Sequence, residues 1–157
     1  MVDSLKKFLG IRNMCTESGK RVVFTNGCFD ILHLGHLKYL TKAKSLGDVL
    51  VVAVNTDSSI RMFKEKGRPI IDEKARAALV AGLKPVDYVI LFKEETPLEI
   101  IRKIKPDILV KGADYKFNEI VGAEFVKSYG GKVKRIKLTP NMSTTNVIQK
   151  IRKSKNL

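Results

Sequence analysis

The sequence predicts an α/β fold: a Rossmann-like, doubly wound parallel sheet of about five strands with helices on both faces. Two observations point there. Short β-branched runs with little polar alternation recur along the chain, as strands covered on both faces require. Helical periodicity fills the intervals, so each strand is followed by a crossover and the next strand runs parallel to it. A chain of 157 residues suits one domain with a real core. Within it, 1–19 reads as an N-terminal helix region, 20–152 as the catalytic core and 153–157 as a basic tail.

The elements follow in order. Asp3 to Ser18 reads as a helix burying Leu5, Phe8, Leu9 and Met14. Val22 to Thr25 is the first strand, and Leu34 to Ser45 the helix after it. The strand Val49 to Asn55 precedes a mobile loop over Lys64 to Pro69 and a helix over Asp72 to Leu83. Tyr88 to Phe92 is the third strand. The next helix, Pro97 to Ile104, carries start signals: Thr96 as cap, a first-turn proline and Glu99 closing a capping box. Ile108 to Lys111 and Val133 to Leu138 are the last strands, with helices at Glu119 to Tyr129 and Thr144 to Arg152. Gly47, Gly82 and Gly130 sit where helices stop.

Ligands of such sheets bind beyond the carboxyl ends of the strands, near the switch in strand order. Polar clusters lie at those ends: Thr25, Asn26, Gly27, Cys28 and Phe29; Asn55 to Asp57; Lys111, Gly112, Asp114 and Tyr115; and Ser143, Thr144 and Thr145. The first runs on into T-N-G-C-F-D-I-L-H-L-G-H, Thr25 to His36. Gly27 lets the backbone turn and approach a ligand. Gly35 leaves the first helical turn bare, so an anion can approach the N–H groups and the positive helix end. His33 and His36, the chain's two histidines, lie on one face of that turn. Two imidazoles at an anion site point to phosphoryl chemistry. The alternatives are a core histidine or half of a zinc site, but zinc needs three or four ligands and no third His, H-E-x-x-H or C-x-x-C is present. Neither a Walker loop nor G-x-G-x-x-G occurs.

Composition narrows the partners. The net charge is +14, from 30 basic and 16 acidic residues, and no acidic residue follows Glu124. Such a field steers anions. With 7% aromatics and no Trp there is no stacking platform, so nucleotides and sugar phosphates are favoured over nucleic acid. No apolar run reaches membrane-spanning length and no signal-peptide core is evident. Cys15 and Cys28 lack a scaffold spacing, fitting a reducing cytoplasm, with Cys28 as filler rather than nucleophile.

The motif G-C-F-D-I-L-H-L-G-H resembles the H-x-G-H signature of the cytidylyltransferase-like nucleotidyltransferases. V-N-T-D (Val54 to Asp57), R-P-I (Arg68 to Ile70), V-K-G-A-D-Y (Val110 to Tyr115) and S-T-T-N (Ser143 to Asn146) follow in that family's order, from about Lys20 to Arg152. The most similar branch is the adenylyltransferase domain of bifunctional ADP-heptose synthases, and this chain resembles its stand-alone form. The resemblance implies transfer of AMP from ATP to D-glycero-β-D-manno-heptose 1-phosphate, with Mg²⁺ held mainly by nucleotide phosphates and water. It also implies a homodimer or higher homo-oligomer. His33 and His36 would be catalytic donors. Lys38 matches a frequent basic position, catalytic or merely a solvated helix lysine. Arg76, in E-x-x-R (Glu73 to Arg76), matches an arginine near acceptor or triphosphate, the alternative being a surface salt bridge. Gly112 and Asp114 match the loop beside base and ribose, although Asp114 could simply cap a turn. Ser143 and Thr144 would hold the β- and γ-phosphates, with helix capping as Ser143's second role. Asp30 is expected to order its loop through backbone hydrogen bonds.

Leu138 to Thr145 stands where glycerol-3-phosphate cytidylyltransferases carry R-T-x-G-I-S-T-T. Leu138 replaces the arginine, Asn141 the glycine, and those enzymes lack Lys111. Asparagine tolerates the left-handed conformation such a turn needs. The rivals are glycerol-3-phosphate cytidylyl transfer, FAD synthesis, a GDP-heptose-forming guanylyltransferase, a basic nucleic-acid-binding module, and a nucleotide sensor without turnover.

Overall fold

In the computed structural model, which describes residues 1–140 and 142–154, five strands form one parallel sheet. They are β1 (Val22–Gly27), β2 (Val49–Asn55), β3 (Tyr88–Phe92), β4 (Ile108–Gly112) and β5 (Lys132–Ile136), in the order β3-β2-β1-β4-β5. The chain winds outward from β1 to β3, then crosses back to β4 beside β1. That reversal puts the switch point between β1 and β4. Asn141 and residues 155–157, with the turn and most of the tail read above, lie outside the described residues.

Alternate side chains of the strands supply two separate cores, as a period of two demands. Val22, Phe24, Val51, Ala53, Ile90 and Leu109 face one side. There they pack with Phe8 and Cys15 of α1 (Leu5–Glu17), Ile101 and Ile104 of α5 (Leu98–Ile104), and Val126 of α6 (Ala123–Ser128). Val23, Leu50, Val52, Val54, Val89 and Val110 face the other, against Leu40 and Ala43 of α2 (Leu34–Lys44) and Ala77 and Val80 of α4 (Glu73–Ala81). A sheet buried on both faces explains the unalternated strand sequences. β5 is the exception: as an edge it exposes Lys132, Lys134 and Arg135, charges that discourage further pairing.

The ladders are not equally long. β1 pairs with β2 as far as Gly27↔Val54, and β4 with β5 as far as Gly112↔Ile136. Between β1 and β4 only Val23↔Ile108 and Phe24↔Leu109 are paired. The sheet therefore forks at the carboxyl ends of its two central strands.

Several boundaries differ from expectation. A short helix, α3 (Asp57–Phe63), stands where no element is predicted, capped by the Thr56 hydroxyl accepting from the Ser59 amide. The Lys64 to Pro69 segment that follows is tethered, because Arg68 pairs with buried Asp30 at 2.6 Å. The capping box at Thr96 does not form: α5 begins after Pro97 without a side-chain cap, and Glu99 pairs with Arg102 instead. Met14 is exposed rather than buried. The expected helix from Glu119 resolves into a 3-10 turn, Phe117–Glu119, followed by α6. The last helix, α7 (Thr144–Ser154), buries none of its residues. No helix among the described residues is long and apolar enough to cross a membrane.

Gly47, between α2 and β2, is fixed by contact rather than by dihedral angle. A Cβ there would lie 2.7 Å from Val23 Cγ2 and 2.9 Å from the Arg21 carbonyl oxygen. Because one neighbour is backbone, Gly47→Ala is expected to cost ~1–3 kcal/mol. It should lower the urea midpoint without changing the slope of the transition; an unshifted midpoint would contradict this contact.

Candidate functional site

The fork opens into a cavity of about 580 Å³ walled by both halves of the sheet. From the β1–α2 side come Asn26, Gly27, Cys28, Phe29, His33, Gly35 and His36, and from β2 Asn55. The opposite wall holds Lys111, Gly112, Asp114, Tyr115, Ser143, Thr144 and Thr145. These are fifteen of the residues the sequence marked, gathered from four separate segments.

Four marked residues are placed elsewhere. Lys38 is exposed on α2 and is not part of the cavity wall. Thr25 is buried beneath the site, its hydroxyl 2.7 Å from the Tyr39 hydroxyl. Asp57 opens α3 and binds Arg76. Arg76 itself corrects both expectations for it, since it is neither a phosphate ligand nor a surface ion pair. Its side chain is 0% exposed. Nε donates to the Ile71 carbonyl at 2.9 Å, one terminal nitrogen to Cys28 O at 2.5 Å, and the other to Asn55 O at 2.8 Å and Asp57 at 2.7 Å. The guanidinium thus ties the ends of β1 and β2 to α4 with four of its five N–H groups, and it is not part of the cavity wall.

The loop between β1 and α2 is held in an unusual path. Phe29 and Ile31 adopt left-handed backbone angles, φ 50° and 55°, which side chains disfavour, β-branched ones most. Asp30 between them secures the path. Its carboxylate, 1% exposed, accepts the amides of Ile70 and Ile71 and the Arg68 guanidinium. Burial alone would raise its pKa, but those amides and Arg68 together hold the carboxyl below the ordinary range. Its carbonyl accepts the Thr144 hydroxyl, joining the loop to α7. Ser143 Oγ accepts the Asn146 amide, so Ser143 is a helix cap that also lines the cavity.

The two imidazoles stack, with centroids 3.9 Å apart and planes 23° apart. Gly35 makes room for them: a Cβ there would lie 2.9 Å from the His33 ring. His36 Nδ1 faces the His33 amide at a long 3.4 Å, which leaves Nε2–H as its donor in the neutral ring. Burial, reinforced by His33, pushes the His36 pKa down to about 4. Burial also lowers His33. The Cys28 thiol is pushed up by burial despite Lys64, Arg76, Arg68 and Lys111, so it is no activated nucleophile. Lys111 Nζ reaches across the fork to Asn26 Oδ1 at 2.9 Å and lies 5.1 Å above the Tyr115 ring. A side chain at Gly112 would collide with the Asp114 carboxylate, which folds over the backbone there.

Further lining residues escaped the sequence reading. Phe63, Lys64, Glu95 and Thr96 extend the cavity on the β2–β3 side, and Leu138 and Met142 form an apolar edge on the other. Arg68 lies within the R-P-I motif, so a signal for it existed. Tyr39 and Glu95 carry none, because they reach the site through helix phase and loop path.

A family model described as cytidylyltransferase-like matches residues 24–150. The bifunctional protein HldE of Syntrophotalea carbinolica is 56% identical over 149 residues, which are 95% of this chain and 30% of that protein. That of Geobacter metallireducens is 50% identical over 150 residues, 96% of this chain and 31% of the relative. The chain thus spans under a third of the length of these curated relatives. Among solved structures, a lipopolysaccharide core biosynthesis protein from Thermoplasma volcanium superposes with a TM-score of 0.65 at 41% identity, covering 77% of this chain and 98% of that one. Pantothenate synthetase from Thermus thermophilus, at 16% identity and a TM-score of 0.65, covers 98% of this chain and 70% of that one, and shares the fold.

Arg76→Met strands three carbonyl oxygens and a carboxylate. It is expected to destabilise the protein by ~3–5 kcal/mol, as for breaking a buried pair; a loss below about 1 kcal/mol in chemical denaturation would refute the tie. The histidines give a pH prediction of definite sign. An unfolded imidazole takes a proton below about 6.5, whereas folded His36 resists until about 4. The unfolded state therefore binds more protons in that window, and stability falls as pH drops from about 6.5 to about 4. Denaturation midpoints of wild type and His36→Gln measured across this range should converge on acidification.

Proposed function

The chain belongs to the cytidylyltransferase-like family, and on that premise we propose that it transfers AMP from ATP to D-glycero-β-D-manno-heptose 1-phosphate, giving ADP-heptose and pyrophosphate. The observation that carries nucleotidyl transfer is the stacked His33/His36 pair at the start of α2, beside a cavity fed from both halves of the sheet. The choice of ATP and heptose 1-phosphate draws support from the half-identical HldE relatives and the lipopolysaccharide core biosynthesis protein. It draws further support from V-K-G-A-D-Y and from Leu138, in place of an arginine.

In the reaction, a phosphate oxygen of the acceptor attacks the α-phosphorus in line. A new O–P bond forms as the bond to the β-phosphate oxygen breaks, and that oxygen leaves with the electron pair as pyrophosphate. The protein's share is positioning and charge stabilisation. Neutral His36 donates Nε2–H to phosphate oxygens as charge moves toward the leaving group. The amides at the start of α7, an 11-residue helix, and the hydroxyl of Ser143 receive the terminal phosphates. Among the described residues no group of three or more His, Cys, Asp or Glu is placed to hold a metal ion. Mg²⁺, held mainly by the nucleotide phosphates and water, would supply charge neutralisation.

Pyrophosphate release should be measured with ATP, CTP and GTP against heptose 1-phosphate, glycerol 3-phosphate and FMN. Turnover is expected with ATP and heptose 1-phosphate; turnover only in another combination would keep the reaction class and replace the substrates. His36→Ala is expected to lower kcat by roughly 10²–10³, as for loss of one charge-stabilising donor. Wild-type turnover in a folded His36→Ala protein would overturn the mechanism.

A further inference from the structure

Lys111 is a cation whose hydrogen bonds go to a neutral residue, Asn26. Its ammonium carries three hydrogens. One goes to Asn26 Oδ1 at 2.9 Å, Asn26 O accepts weakly at 3.4 Å, and the Tyr115 ring face lies 5.1 Å away. All three are neutral. Among the described residues no ion pair includes Lys111. A half-buried ammonium whose contacts are neutral, with the Asp114 carboxylate near but not paired to it, is a costly arrangement that an anion would relieve.

Its location says which anion. Lys111 stands on β4 just past the last residue paired with β1, where the sheet has forked. Its side chain spans the gap to Asn26, the residue that leads into the histidine loop, and lines the same cavity as His36. We propose that Lys111 binds a phosphate oxygen of the reactants at this fork, with Asn26 as the residue that positions its ammonium. The inference rests on the nucleotidyl-transfer reading and deepens it. Two phosphates meet at the reacting centre, the α-phosphate of the nucleotide and the phosphate of the acceptor, and both present the same anionic oxygens.

The groups facing Lys111 leave it in need of that charge. From the β1 loop come Asn26 and the Cys28 thiol, which burial keeps protonated. After β4 come Asp114 and Tyr115, the latter's hydroxyl also raised by burial. His36, on the cavity's other wall, is neutral above about 4. Burial pushes the Lys111 ammonium down to about 8, and Cys28 and Asp114 offset this only in part. Since the protonated form binds phosphate, kcat/KM falls as pH rises through about 8.

A purely structural role, stapling the fork through Asn26, makes a different prediction, and three variants separate the two. Lys111→Met is expected to weaken binding of its phosphate partner by about tenfold or more and to abolish the alkaline decline. Lys111→Arg keeps the charge and should retain part of the affinity. Asn26→Asp gives the ammonium an internal anion, so the decline should move to higher pH and affinity should drop. Calorimetry with ATP alone and with heptose 1-phosphate alone identifies the source: a loss confined to one ligand assigns the contact to its phosphate, and a loss of both assigns it to a shared position. Lys111→Met that unfolds leaves the decision to the other two variants. Unchanged affinities together with an unchanged alkaline limb in the folded variants overturn the proposal and leave a staple. Titration with inorganic pyrophosphate keeps the test independent of the substrate assignment. If wild type binds pyrophosphate or ATP but turns over neither heptose 1-phosphate nor ATP, the functional reading fails while the role of Lys111 is still decided.

Discussion

The carboxylate of Asp30 is the constraint on which the site depends. Two residues with left-handed backbones flank it, each a cost of order 1–3 kcal/mol unless surroundings enforce it. Asp30 enforces it with three bonds to the segment before α4, while its carbonyl accepts Thr144 at the start of α7. Bonds to an ionised acceptor are stronger than neutral ones, so a buried charge here offsets strained backbone. Arg76 performs the complementary task from the other side, donating to the carbonyl of Cys28. One acid and one base therefore hold the same loop from opposite sides. Their effect is to deliver His33 and His36 to the start of α2 as a stacked pair.

Such rigidity matters because the chemistry leaves little for the protein except placement. On its β1–α2 wall the cavity presents little uncommitted charge. His36 is neutral, the Cys28 thiol is protonated, and the charges of Asp30 and Arg76 are consumed in holding the frame. That wall offers preoriented donors, while the charges of Lys111 and Asp114 stand across the fork and those of Lys64 and Glu95 on the β2–β3 side. Triphosphate and sugar phosphate bring several negative charges of their own, and the surplus of basic residues over the whole chain, +14 net, draws them in. Long-range attraction and local placement then divide the labour. The surface gathers anions, while the cavity receives them with dipoles that need no reorganisation.

How much of this was legible in the sequence follows from how local each feature is. The strands and the loop from Thr25 to His36 write themselves into consecutive residues, as hydrophobic runs and a glycine-histidine spacing. The last strand ends two residues before the expected Leu138, because Ile136, Lys137 and Leu138 keep alternating apolar and charged residues past the last paired position. Helix α3, 7 residues long, is too short for a periodic signal to emerge. Arg76 was the instructive failure. An arginine in E-x-x-R looks the same in sequence whether it faces solvent, a phosphate or the protein interior, and the carbonyls that claim it lie 48 and 21 residues away. Likewise, the motif around Lys111 marked the residue but not its partner, which is 85 residues distant.

The fork between β1 and β4 is where these constraints meet. In a continuous parallel ladder the amides and carbonyls at the ends of both strands would satisfy each other, and the switch point would be a seam rather than a cavity. Pairing stops at Phe24↔Leu109, while the outer ladders run on to Gly27 and Gly112. Each half of the sheet is therefore rigid to its tip, and only the space between the tips is free. Glycines end both central strands, so the backbone itself forms the walls and a ligand can approach it closely. Catalytic precision and substrate access usually oppose each other. Here they coexist because the opening lies between two well-paired ladders rather than within a loosened one.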